Sequence, residues 1–447
     1  MPHASPSPLT AIRAQALSGR VTVPGDKSIS HRSLMCGALA SGRTRITGLL
    51  EGEDVLNTAK ALQALGCPVH RVGKKWEVLG RGVGGLYEPD GAIDYGNSGT
   101  GLRLMMGVVA GHDMRVRFEG DASLSRRPMR RVLAPLMRMG LEVAEKGRDT
   151  LPLTIRGTCD LMPIEYTTPV PSAQIKSAVL IAGMHASGAT TVVERQATRD
   201  HTERMLRHFG AKLATAERDG ARAITVTGDA ELEGRDVAVP GDPSSAAFLV
   251  AAALIVPGSE IAIDGVLVNP TRTGFYLTLK EMGADLTFRN EREQGGEPVA
   301  DLLVRHSRLR GVRVPPERAP IMIDEYPVLA CLAAYADGET RMEGLAELKV
   351  KESDRLAATA TGLARNGVAA KVEGETLIVD GGRSVRGGGT VTTHLDHRIA
   401  MAFLTLGLGA DRPVTVDDAD TIATSFPEFR GLMGELGAAF VMPEDVR

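Results

Sequence analysis

The sequence predicts an α/β protein of two similar domains, each made of three repeating units, and three observations carry that expectation. Six amphipathic stretches end in a glycine followed at once by a strand-like segment, at Gly66, Gly140, Gly210, Gly283, Gly367 and Gly437, at intervals of 70 to 84 residues. A longer motif, Val23-Pro24-Gly25-Asp26-Lys27-Ser28, returns 216 residues later as Val239-Pro240-Gly241-Asp242-Pro243-Ser244, so three units of about 72 residues make half the chain. The length, 447 residues with 43% hydrophobic and 24% charged side chains, gives room for two to four domains of roughly 100–200 residues. It excludes a disordered or fibrous chain.

The elements follow from the spacing around each glycine. Four places before it stand Leu62, Leu136, Leu206, Leu279, Leu363 and Met433, and one place before it Leu65, Met139, Phe209, Met282, Asn366 and Leu436. That is one face of a helix, ended by a left-handed glycine cap. Segments such as Leu141-Glu142-Val143, Ala211-Lys212-Leu213 and Ala284-Asp285-Leu286 follow, with the alternation of half-buried strands. A solenoid is excluded because its repeats usually span about 20–50 residues. The expected domains are 25–240 and 1–24 plus 241–447, with the first twenty-odd residues pairing back into the second domain.

Composition narrows the function. With 52 Lys and Arg against 55 Asp and Glu, net −3, no whole-molecule field draws the protein onto nucleic acid. The longest apolar run, Ala246 to Val256, has 11 residues, short of the ~20 that span a bilayer. The opening MPHASPSPLT leads into no apolar signal region, so a cytoplasmic protein without membrane contact is expected. Cys36, Cys67, Cys159 and Cys331 are far apart with no C-x-x-C pair, and all four read as buried thiols rather than zinc ligands or disulfides. No heptad or long apolar edge argues for an oligomer, and a monomer is expected.

Familiar motifs fail on context. Gly80-Arg81-Gly82-Val83-Gly84-Gly85 matches a dinucleotide fingerprint, but Pro89 and Gly91 stand where its helix should open. His394-x-Asp396-His397 lacks a third metal ligand at a convincing spacing. What remains is a set of polar, glycine-bounded segments at element starts. Gly25-Asp26-Lys27-Ser28-Ile29-Ser30-His31-Arg32 puts hydroxyls and cations at the opening of an apolar helix, where free N–H groups favour an anion. Gly96-Asn97-Ser98-Gly99-Thr100-Gly101 lets backbone N–H groups approach a ligand. Arg126-Arg127-Pro128 places cations before a helix expected to start at the proline.

With Ser172-Ala173-Gln174, Asp324-Glu325, Lys351-Glu352-Ser353-Asp354-Arg355 and Asp396-His397-Arg398, these segments resemble the 5-enolpyruvylshikimate-3-phosphate synthase (3-phosphoshikimate 1-carboxyvinyltransferase) family from about Val21 to Pro427. Arg199-Asp200-His201-Thr202-Glu203, Gly241-Asp242-Pro243-Ser244-Ser245 and Asn269-Pro270-Thr271-Arg272 resemble its second class, where glyphosate-tolerant members are found. The resemblance implies three βαβαββ units per domain, closing on a central cleft. It also implies an enzyme that transfers the enolpyruvyl group of phosphoenolpyruvate to the 5-hydroxyl of shikimate 3-phosphate. Phosphate is released and 5-enolpyruvylshikimate 3-phosphate is formed, on the shikimate pathway to chorismate and the aromatic amino acids. No cofactor or metal is implied.

By the same resemblance Lys27, Gly99, Arg127, Gln174, Arg355 and Arg398 bind phosphoenolpyruvate. Lys27, Ser28, Arg32, Ser172, Ala173, Gln174, Arg199, Asp324 and Lys351 bind shikimate 3-phosphate, and Lys27, Asp324 and Glu352 are catalytic. The residues suit that task. Two phosphates and two carboxylates carry roughly five to six negative charges that cations must answer, and proton transfers to oxygen and carbon need acid and base groups. One departure stands out: Ala423-Thr424-Ser425-Phe426-Pro427 offers Thr424 where many first-class members carry a lysine facing phosphoenolpyruvate.

Overall fold

The computed structural model describes residues 6–228 and 231–446. Two compact domains divide the chain: Gly25–Pro240 with Gln294–Glu297, and Met1–Pro24 with Gly241–Glu293 and Pro298–Arg447.

In the first domain the helices are α1 (Lys27–Leu39), α2 (Glu53–Ala64), α3 (Gly99–Ala110), α4 (Arg130–Met139), α5 (Ala173–Gly183) and α6 (His201–His208). Its middle unit shows the pattern. Strand Ile93–Asp94 runs parallel to Arg115–Glu119 across α3, and α4 then leads into the antiparallel pair Glu142–Val143 and Leu153–Arg156, giving βαβαββ. The unit around α5 and α6 repeats it with strands Glu165–Thr167, Ala189–Glu194, Leu213–Arg218 and Ala221–Thr227. The unit around α1 borrows its opening strand from the far end of the domain: Leu232–Glu233 and Val237–Ala238 lie parallel to Ala40–Thr47.

The second domain follows the same plan with α7 (Pro243–Ile255), α8 (Gly274–Glu281), α9 (Tyr326–Ala333), α10 (Arg355–Arg365), α11 (His397–Gly407) and α12 (Phe429–Glu435). The N-terminal segment completes two of its sheets. Ser18–Thr22 opens the unit of α7 and α8 by pairing parallel to Glu260–Leu267. Leu9–Ala11 closes the unit of α11 and α12 between Val414–Val416 and Phe440–Val441.

Each unit has one buried and one capped helix. Every residue of α7 is buried, as expected where a helix is apolar all round. The capped helices carry the glycines. Gly66, Gly140, Gly210, Gly283, Gly367 and Gly437 all have positive φ, from +81° to +120°. After each, the next N–H reaches back to the fourth residue before the glycine, from Cys67 to Leu62 at 2.9 Å through to Ala438 and Met433 at 2.9 Å. This Schellman bond satisfies an otherwise orphaned carbonyl, and the six acceptor residues are 0% exposed. Burying such a side chain contributes about 1.5–3 kcal/mol.

The repeated Val-Pro-Gly-Asp motif does the same work in both domains. Asp26 N–H donates to Pro240 O and Asp242 N–H to Pro24 O, each at 2.8 Å. Their carboxylates then cap α1 and α7 by accepting from Ile29 N and Ser244 N, each at 2.8 Å. Gly25 admits no side chain, since a Cβ would stand 1.9 Å from the Gly48 carbonyl oxygen.

Two sequence expectations are corrected. Cys159 is exposed, unlike the other three cysteines, because it lies in a loop outside the core. Helix α4 starts at Arg130 rather than Pro128, since Met129 occupies the cap. Among the described residues no helix is long and apolar enough to cross a membrane.

Candidate active site

The polar segments singled out in the sequence stand at the N-terminal ends of helices, where unpaired N–H groups and the dipole suit anions. In the first domain Lys27 opens α1, and its Nζ lies 2.9 Å from Oδ2 of Asp54 in the first turn of α2. The Asp54 carbonyl accepts from Ser98 Oγ at 3.1 Å, which ties Lys27 to the cap of α3. Gly99 opens α3, and a Cβ there would stand 3.1 Å from Arg103 Nη1 and 3.2 Å from Arg127 Nη1. Two guanidinium groups therefore flank it.

Arg127 is held by Asn97, whose Oδ1 accepts from Nη2 at 2.8 Å. Gln174, in the first turn of α5, donates to Thr100 Oγ1 at 3.0 Å and accepts from Arg103 Nη1 at 3.1 Å. Ser172 caps α5 through Ile175 N, and Ala173 is its first residue. Lys27, Arg127 and Gln174 thus cluster around segment 97–100, which carries Gly99, and reach it through Asp54 and Ser98, through Asn97 and through Thr100 respectively.

Arg32 lies deeper, 3% exposed. It donates to Thr202 Oγ1 at 2.6 Å, Ser177 Oγ at 2.9 Å and the Ser28 carbonyl at 2.8 Å. Burial lowers its pKa, Asp26 and Glu203 act the other way, and the charge of Arg199 lowers it further. Arg199 is partly exposed, just before α6.

In the second domain Arg355, at the start of α10 and 1% exposed, is shared by three carboxylates. Its Nε is 2.8 Å from Asp396 Oδ2, its Nη2 is 2.6 Å from Glu352 Oε2, and its Nη1 is 3.3 Å from Asp324 Oδ1. Burial opposes its charge, yet Asp396 and Glu352 outweigh burial and push its pKa above the ordinary value. Asp396 answers in kind: burial raises its pKa, but Arg355 leaves it lowered overall. Lys351 Nζ is 3.5 Å from Asp324 Oδ1, and Arg398 Nη1 is 3.5 Å from the Asp324 carbonyl oxygen and 3.8 Å from Glu325 Oε1. Glu325 also accepts from Ser244 Oγ. Asp324, Lys351, Glu352, Arg355 and Arg398 thus form a second cluster. Thr424 Oγ1 lies 3.4 Å from His397 Nδ1, at the start of α11.

Several partners escaped the sequence reading. Asp54 signals itself only as an acid in a first helical turn, and Arg103 as the cation one turn beyond Gly99. Asp396 stood inside a quoted motif, but its role as the buried counter-ion of Arg355 needs the fold. Among the described residues one group has metal-ligand spacing, Asp200, His201 and Glu297, with ligand atoms within 4.8 Å. Arg204 Nε lies 2.9 Å from Asp200 and 3.6 Å from Glu297, so a protein cation already serves both acids.

The fold is thus built of βαβαββ units with cations at helix N-termini and a carboxylate cluster, an arrangement suited to anionic ligands. The family described as EPSP synthase (3-phosphoshikimate 1-carboxyvinyltransferase) matches residues 12–433. A protein of that name from Methylobacterium sp. (strain 4-46) is 60% identical, over 98% of this chain and 100% of its own length. Its counterpart from Methylorubrum extorquens is 59% identical, over 98% of each chain. The solved EPSP synthase of Acinetobacter baumannii superposes with a TM-score of 0.87 at 42% identity, over 97% of this chain and 100% of that one. The chain belongs to the EPSP synthase family, and it is a 3-phosphoshikimate 1-carboxyvinyltransferase of the shikimate pathway.

Proposed function

We propose that both clusters serve one reaction: addition of the 5-hydroxyl of shikimate 3-phosphate to phosphoenolpyruvate, then loss of phosphate from the tetrahedral adduct. The observation that carries this reading is Arg355, a buried cation shared by Asp324, Glu352 and Asp396. It places two predicted acid–base groups in one charge network beside the cations Lys351 and Arg398.

In this reading Lys27, Arg127, Arg355 and Arg398 answer the phosphate and carboxylate of phosphoenolpyruvate, with Gly99 and Gln174 shaping its seat. Lys27, Ser28, Arg32, Ser172, Ala173, Gln174, Arg199 and Lys351 hold shikimate 3-phosphate, and Asp324 receives its hydroxyl proton. Glu352 gives a proton to the methylene carbon and takes one back from the new methyl group on elimination. Lys27 stabilises the charge that develops between those steps and relays a proton. Preorganised charges of this kind need no reorganisation as the adduct forms. No cofactor takes part, and we place the enzyme in the cytoplasm as a monomer without nucleic-acid or membrane partners.

The test is product analysis by proton magnetic resonance after incubating the enzyme with both substrates. New vinyl protons on a shikimate 3-phosphate skeleton are expected. Consumption of phosphoenolpyruvate without them would refute the reading.

A further inference from the structure

Lys176, on α5 two residues beyond Gln174, is 0% exposed. Its ammonium donates to Glu194 Oε1 at 3.1 Å and to the Thr198 carbonyl at 3.4 Å, and it forms an ion pair with Glu203 Oε1 at 2.8 Å. Glu194 in turn accepts from Thr198 Oγ1 at 2.7 Å and Thr198 N at 3.4 Å. Both acids are buried, at 1% and 0% exposure.

These partners sit on different pieces of backbone. Glu194 ends the strand Ala189–Glu194, Thr198 lies in the loop that follows, and Glu203 is in the first turn of α6. One ammonium therefore pins both ends of the segment that carries Arg199. The next residues continue the network toward Arg32: Ser177 and Thr202 share a 2.6 Å hydrogen bond, and each accepts from the Arg32 guanidinium. Lys176 and Arg32 balance Glu194 and Glu203 in the interior, where an unpaired charge is strongly unfavourable.

We infer that Lys176 is a positioning residue for shikimate 3-phosphate: its three-way tie fixes the loop that presents Arg199. It touches no substrate and acts through Arg199, so the inference rests on the reading of Arg199 as a ligand of that substrate. The separate function of Lys176 is to hold the loop closed on α5 before substrate arrives, which spares ordering cost on binding.

The test is steady-state phosphate release by the full chain, varying each substrate, for Lys176→Met, Arg199→Ala and the double variant. Lys176→Met is expected to raise the KM for shikimate 3-phosphate about tenfold, with kcat and the phosphoenolpyruvate KM within about twofold. The double variant should be no worse than Arg199→Ala alone, because the tie has nothing left to position. Multiplying effects, or a parallel change in kcat and both KM values, would overturn the inference. If Lys176→Met does not fold, Thr198→Val keeps the Lys176 contacts but removes the Thr198 Oγ1 bond to Glu194 that anchors the same loop, and it should raise the shikimate 3-phosphate KM in the same direction with kcat unchanged. An unchanged KM in Arg199→Ala would instead overturn the Arg199 assignment itself, whereas a raised KM there with none in Lys176→Met overturns only the positioning role.

Discussion

Arg355 and Asp396 meet in a two-point ion pair, Nε to Oδ2 at 2.8 Å and Nη2 to Oδ1 at 3.2 Å, with side chains 1% and 0% exposed. The same carboxylate accepts from Ser353 Oγ at 2.9 Å and Arg398 N at 2.9 Å. One buried anion thus holds the Arg355 guanidinium and caps, through the backbone N–H of Arg398, the helix that begins beside it.

Asp396→Asn should destabilise the fold by about 3 kcal/mol, because removing one partner strands a buried charge. The pH dependence has a definite sign. Since the folded pKa of Asp396 is lowered, its contribution is complete above the unfolded value of ~3.9 and is lost as pH falls through the folded value. Denaturant midpoints against pH should show a shallower acid limb in the variant than in the wild type.

Glu352→Gln keeps the shape of the side chain that faces Arg355 at 2.6 Å. Substrate binding should survive while turnover falls about 100-fold or more, the scale of lost acid–base help. Calorimetric binding beside single-turnover rates separates the two. Near-normal turnover with altered binding would make Glu352 a clamp instead.

Gly99→Ala bears on glyphosate, which by the family resemblance occupies the phosphoenolpyruvate site and is the longer of the two ligands. The new methyl would stand 3.1 Å from Arg103 Nη1 and 3.2 Å from Arg127 Nη1, so two guanidinium ends must shift. Overpacking of ~1–3 kcal/mol should raise the inhibition constant about fivefold or more. The shorter natural substrate loses less, so its KM should rise by a smaller factor. Equal rises in both constants would defeat the argument from ligand length.

The cap glycines separate strain from clash. Gly210 has φ +99° with no atom within 4 Å of an added Cβ, whereas at Gly66, φ +81°, that Cβ would stand 2.2 Å from Tyr87 Cδ2. Gly210→Ala should cost about 1–2 kcal/mol from the left-handed backbone alone, and Gly66→Ala more. Urea midpoints at unchanged slope check the order.

Those glycines were also what made the fold legible. A left-handed stop admits few residues, so six of them print the repeat directly into the sequence, and the helix starts proposed to bind anions are marked by glycine and hydroxyl residues for similar reasons. The pairings of Leu9–Ala11 with Val414–Val416 and of Val237–Ala238 with the Ala40–Thr47 strand are non-local, and no short-range pattern encodes their register. The same distance hid the partner of Lys27, since Asp54 comes 27 residues later. Lys176 stands in the polar segment that opens α5, but only the fold shows it buried against Glu194, Glu203 and the Thr198 carbonyl.

The claim that both residue clusters serve one transfer reaction is tested most directly by phosphate release with shikimate 3-phosphate and phosphoenolpyruvate, each omitted in turn. Release should require both substrates and should stop when either Arg127 of the first domain or Asp324 of the second is replaced by alanine. Phosphate released from phosphoenolpyruvate alone, or undiminished release in either variant, would contradict it.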